Sequence, residues 1–166
     1  LLKLNLNPER EFMSTPAAHL EPFIKNWNRT HKQSVRLLRV APDDKFGWRT
    51  CETAMTLGEL MNHLWLAERA LVEAALTGEI PEQKPEPKTN TEELIAAFDQ
   101  SHAELVARLA ALTPQQLSEE ITPFGGKYGT MTRDSLLQAM REHEIHHRGQ
   151  LYVYLRMLGA DVPPLH

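Results

Sequence analysis

Apolar residues return every three or four positions along most of this chain. Nowhere do they alternate with period two over a useful length, so the pattern predicts helices and no strands. A first segment, from Pro22 to about Val40, sets Phe23, Ile24, Trp27, Val35 and Leu38 at helical spacing, with Trp27 and His31 one turn apart. An interior proline costs about 3 kcal/mol, which places its start at Pro22 rather than Pro16. The second segment opens on a capping box, Thr56-Leu57-Gly58-Glu59, and stops at Thr77-Gly78. The third opens at Asn90-Thr91-Glu92-Glu93, carries Leu94, Ile95, Phe98, Leu105, Val106 and Leu109, and ends before Thr113-Pro114. The fourth opens near Thr132, with Asp134 favourably placed against the helix dipole, and runs to Leu158-Gly159. At 1.5 Å per residue these helices span about 28 to 40 Å. Four amphipathic helices of similar length pack most simply as an all-α four-helix bundle.

The connections refine that picture. Glu79 to Thr89 holds three prolines and reads as a semi-rigid strap. Extended, it reaches about 35–40 Å, enough to cross the bundle and let the second and third helices run parallel. The 113–131 connection, with Phe124-Gly125-Gly126-Lys127-Tyr128-Gly129, reads as irregular. Residues 1–12 lack periodicity and precede Met13, so they read as a leader or cloning remnant, leaving 13–166 as a single domain.

Composition narrows the function classes. Of 166 residues, 42% are hydrophobic and 24% charged, with a net charge of -4 and both signs scattered, which argues for one globular domain and against disorder. There is no basic footprint for nucleic acid or an anionic membrane. The single cysteine, Cys51, excludes a disulfide framework within the chain and fits a reducing compartment. No apolar run approaches the ~18 residues of a membrane helix. The expectation is a soluble, cytoplasmic protein.

Histidine carries the chemistry. His143-Glu144-Ile145-His146-His147 places His143 and His147 at i, i+4, on one helix face, while His146 is rotated by about 100°. Steps of four and three put Leu136, Met140, His143, His147, Tyr154 and Leu158 on one stripe, so both imidazoles occupy inward slots. Burying two imidazoles costs several kcal/mol unless their nitrogens are satisfied. A shared metal satisfies them. On a solvated face the same spacing means nothing, so the seam position is what favours a metal. His63, beside the Leu60/Ala67 stripe, supplies a third inward imidazole, although a lone histidine on such a face is more often a hydrogen-bonded core residue.

Asn62-His63-Leu64-Trp65-Leu66-Ala67-Glu68, followed by His143 through His147 and Arg148-Gly149-Gln150-Leu151, resembles the DinB-like (damage-inducible B) superfamily. That group includes the YfiT-type proteins, the bacillithiol and mycothiol transferases and mycothiol-dependent maleylpyruvate isomerase. The resemblance spans roughly Pro16 to Pro164 and implies an up-down-down-up bundle with a long crossover between the second and third helices. It also implies a divalent metal, zinc or nickel, on His63, His143 and His147, and a homodimer.

Three imidazoles leave a coordination position open, the mark of a catalytic site. Such a site suits hydrolysis through an activated water, or deprotonation of a small thiol that attacks an electrophile. The resemblance favours the second: a low-molecular-weight-thiol S-transferase, with bacillithiol as one candidate thiol, acting in stress or detoxification. The alternatives are a hydrolase of the same fold and a non-catalytic metal-binding stress protein. Glu68 and Gln150 are candidate partners orienting an imidazole. Arg148 is expected to pair with a carboxylate on a neighbouring helix, and Gly149 to admit a close approach. Cys51 is a remote candidate ligand or nucleophile; His19, His31, His102 and His166 show no partner pattern. Counting along the helices places the pocket mouth at the 41–55 loop, with Phe46, Trp48, Arg49 and Cys51, and Tyr128 away from the metal.

Overall fold

The computed structural model describes residues 18–164; the expected leader at 1–12 lies outside the described residues. Helix α1 is Glu21–Leu38, α2 Leu57–Thr77, α3 Thr91–Leu109, α4 Pro114–Leu117 and α5 Arg133–Met157. Local chemistry sets the ends. Pro22 lies in the first turn of α1. The Thr56–Glu59 box opens α2 reciprocally, and Gly78, at φ 96°, closes it in the left-handed conformation that glycine adopts without strain. Asn90 and Thr132 cap α3 and α5.

Two apolar clusters fix the directions. One gathers the start of α1 (Phe23, Trp27), the end of α2 (Val72, Ala75), the end of α3 (Leu105, Leu109) and the start of α5 (Leu136, Leu137, Met140). The other gathers Leu37 and Leu38, then Leu57 to Leu64, then Leu94 and Phe98, then Leu151 and Leu155. Helices α1 and α5 therefore run one way and α2 and α3 the other, the up-down-down-up order. Helix α2 packs most extensively on α5, and α1 bridges α3 and α5.

Three expectations need correcting. Strands β1 (Glu120–Ile121) and β2 (Met131–Thr132) pair antiparallel, with Glu120 opposite Thr132 and Ile121 opposite Met131. Two residues each are too few to show a period-two signal. The connection after α3 is not wholly irregular either, because Thr113 and Gln116 cap each other and start the one-turn α4 at Pro114. Among the described residues Gly149 meets nothing within 4 Å of where a Cβ would stand, so the expected close approach is not there.

The strap crosses the bundle and is pinned near its end by one side chain. Asn62, buried in α2, donates to the Gly58 and Lys88 carbonyls (2.9 Å each) and accepts from the Lys88 N–H (2.8 Å). Replacing Asn62 with alanine leaves those strap groups unpaired against a buried wall. We expect Asn62→Ala to cost about 1–3 kcal/mol in urea unfolding and to speed proteolysis within 79–89. A variant as stable and as resistant as the parent would show that the strap is held elsewhere.

Candidate metal centre

The tight α2–α5 seam brings His63 against His143 and His147, which lie one turn apart on α5. His143 Nε2 stands 3.2 Å from His63 Nε2 and 3.1 Å from His147 Nε2. His147 Nδ1 donates to Gln150 Oε1 at 2.7 Å, so its Nε2 carries the lone pair. Three nitrogens that close cannot all share protons, and the separations match ligand atoms around one small cation. The donor set fits zinc or nickel: neutral nitrogen ligands with one imidazole oriented by an amide behind it. Burial, reinforced by the His147 and His63 rings, lowers the His143 pKa to about 4, so this nitrogen stays a free base. Burial lowers His63 and His147 too. The three form a group able to hold a metal ion. His146 is exposed, with Nε2 3.2 Å from Gln150 Nε2, and lies outside that group.

The run His143-Glu144-Ile145-His146-His147 also has the H-E-x-x-H spacing in which zinc peptidases use the glutamate as general base, a match the sequence reading missed. Here Glu144 turns the other way. It is 2% exposed, accepts from Ser34 Oγ at 2.7 Å and faces the core.

Other expected neighbours are elsewhere. Glu68 touches none of the three imidazoles and lies in the core behind them. Arg148 reaches α1 as expected, but its Nη1 donates to the Thr30 carbonyl (3.3 Å) and Gln33 Oε1 (2.8 Å) instead of to a carboxylate. Trp48 packs edge-on against Tyr154 with centroids 5.6 Å apart. Cys51 is exposed, 3.6 Å from Thr53 Oγ1.

Two cavities meet at the site, sharing His63 and Leu66. One, of about 500 Å³, runs toward the start of α2 past Asn62, Glu59, Phe46 and Lys88. The other, of about 510 Å³, runs under the strap past Ala67, Arg69 and Leu71 and also contains His143. Phe46 thus lines a mouth as expected, whereas Trp48 lines neither. The larger correction concerns Tyr128. The 124–129 turn passes through left-handed φ at Phe124 (59°), Gly125 (60°) and Gly126 (78°), and Phe124 and Tyr128 line the strap cavity. Helix counting places the root of that loop and not its return.

Behind the three-histidine group the bundle centre is polar. Trp27 Nε1 donates to Glu68 Oε2 at 2.7 Å, and His102 Nδ1 stands 3.2 Å from both Glu68 oxygens. His102 Nε2 faces Asn28 Oδ1 and His31 Nε2 faces Asp99 Oδ1, both at 2.8 Å. Both Nε2 atoms therefore donate, leaving lone pairs on both Nδ1 atoms. His31, Glu68 and His102 are close enough together to be ligands. Their rings, however, are stacked 3.8 Å apart at 11°, so the lone pairs run parallel and cannot meet on one ion. Burial pushes the Glu68 pKa up to about 8, which favours a proton between its carboxyl group and the His102 Nδ1 lone pair, 3.2 Å away.

A helical bundle of this winding is the fold of the DinB-like proteins. Residues 13–166 match the DinB family, and the chain belongs to it. It is 30% identical over 148 residues to YjoA of Bacillus subtilis, covering 87% of this chain and 91% of that one. The YjoA crystal structure superposes with a TM-score of 0.73 at 24% identity, over 87% of this chain and 97% of YjoA. A DinB-like protein from Bacillus cereus gives 0.76 at 22% identity, over 89% and 97%. The mycothiol-dependent maleylpyruvate isomerase shares the fold more distantly, with a TM-score of 0.56 and 21% identity over 88% of this chain and 65% of its own.

Glu68 binds its proton more tightly folded than unfolded. Its stabilisation is complete below its ordinary pKa of 4.5 and is lost as pH rises through about 8. Burial lowers His31 and His102 from 6.5 to about 4, so their stabilisation is lost as pH falls across that window. Glu68→Gln keeps an acceptor for Trp27 and a donor for His102. Denaturant unfolding from pH 4 to 9 should show the alkaline decline flattened in this variant and the acid limb unchanged. An unaltered alkaline limb would mean that Glu68 is ionised in the fold.

Proposed function

We propose that this protein is a metal-dependent transferase joining a low-molecular-weight thiol to an electrophile, with zinc or nickel on His63, His143 and His147. One observation carries the reading: His63 stands where two cavities of similar size meet, which provides room for a thiol on one side and an electrophile on the other. A divalent metal there supplies Lewis acidity that lowers the pKa of the bound thiol. The chain's residues do the rest. Gln150 orients His147, and the strap and the Phe124–Tyr128 turn wall off one cavity. Sulfur bonds to the electrophilic carbon, the thiol proton goes to solvent, and any leaving group departs with its bonding pair. The mycothiol dependence of a fold relative supports a small thiol as co-substrate, and bacillithiol is a second candidate. The inward turn of Glu144 favours thiol transfer over hydrolysis, because its carboxyl group faces Ser34 and the core and not the cavities. The free, exposed Cys51 fits a cytoplasmic setting.

We also infer a homodimer through the outer face of α5, where Ile145, Val153 and Met157 are exposed beside the open Gly149. Val153→Asp should halve the mass measured by light scattering. A parent that is already monomeric would remove the dimer from the account.

The test of function is a panel of bacillithiol, mycothiol, glutathione and coenzyme A against chlorodinitrobenzene and monochlorobimane. Zinc- or nickel-loaded protein should consume at least one pair in a thiol-dependent manner, and His143→Ala should fall to the uncatalysed rate. Loaded protein inert across the panel would favour the non-catalytic metal-binding reading.

A further inference from the structure

The strap cavity has a charge pattern that metal chemistry leaves unexplained. Its wall is mostly apolar, from Leu66, Leu71, Ile80 and Phe124, and among the described residues its charged ones are Arg69 and Lys84, with no carboxylate. Arg69 is half-buried on α2. Its Nε is buried without a hydrogen-bond partner. Arg108 and Arg133 show the contrast: their guanidinium groups pair with Glu73 and Glu119. A guanidinium in an apolar cavity wall that carries no described carboxylate is stabilised by an anion that enters the cavity. The acceptor the geometry suits is planar and anionic, since a guanidinium fork matches a carboxylate.

We propose that this cavity binds an amphiphilic organic carboxylate, its anionic group between Arg69 and Lys84 and its apolar body under the strap. The far end then reaches the open side of His63 and His143, which line the same space. Six residues separate His63 from Arg69 on α2, or about 9 Å, so the ligand spans a medium-length chain or a substituted ring. Naming it as the electrophile rests on the transferase reading; the binding claim does not. Specificity then has two parts. The carboxylate sets the register along α2, and the distance from Arg69 to the histidines selects which carbon lies at the reacting position.

Octanoate and its neutral isostere octanamide are suitable probes, titrated against the full-length protein with binding read from amide shifts in heteronuclear NMR spectra. Octanoate should bind at least tenfold more tightly than octanamide and shift Arg69, Leu71 and Phe124. An Arg69→Gln/Lys84→Gln double variant, checked for an unchanged melting temperature and metal content, should bind the two probes equally. His63→Ala, which disrupts the three-histidine group, should retain octanoate binding within a few-fold, so failure of the metal reading leaves this test intact. Equal affinity of the two probes for the parent protein overturns the proposal. So does octanoate binding that survives in the double variant but disappears in His63→Ala, because the carboxylate would then be ligating metal.

Discussion

Three lone pairs cannot face one another at hydrogen-bond distance without a cation or a proton between them. That constraint sits at the α2–α5 seam, where His143 Nε2 has an imidazole nitrogen on each side. Much of the architecture serves it. The up-down-down-up winding sets α2 antiparallel to α5, so a histidine near the start of α2 meets two in the middle of α5. The strap needed to restart α3 at the far end then runs over the same seam, and Asn62, next to His63, pins it there. Site and topology are thus two results of one crossover.

Adjacent residues on α5 divide the work. His143 turns toward the cavities and Glu144 toward the core, about 100° away around the helix. Glu144 meets Ser34, and Glu68, His102, His31 and Trp27 complete a polar layer between the two apolar clusters. A buried acid held by an indole N–H and an imidazole is worth little as a source of stability, since isosteric apolar packing does as well. It does fix which faces of the four helices meet, because a slip of any helix strands a polar group. Register errors at that layer would also part His63 from His143.

What the sequence makes legible is what local chemistry decides. The Thr56 and Asn90 caps, the Gly78 stop and the Pro22 start act within a turn, and the four predicted helices begin within a residue or two of α1, α2, α3 and α5. The i, i+4 pair on α5 is likewise a property of one helix. His31 and His102 show no pattern because their partners lie on other helices, Asp99 on α3 for His31, and Asn28 on α1 and Glu68 on α2 for His102. Glu68 does meet an imidazole, but that of His102 and not one of the three at the seam, because its side is set by packing. Trp48 and Tyr128 exchange places because counting residues along helices finds where loops leave the bundle, while the left-handed turn at Phe124 decides where this one goes.

The central claim is that the three nitrogens hold a divalent ion. Elemental analysis of purified protein tests it most directly, with each histidine replaced singly by alanine and each variant confirmed folded by circular dichroism. A stoichiometric divalent metal is expected in the parent and in His146→Ala, with most of it lost in His63→Ala, His143→Ala and His147→Ala. Stoichiometric metal in His143→Ala, or its loss in His146→Ala, would contradict it.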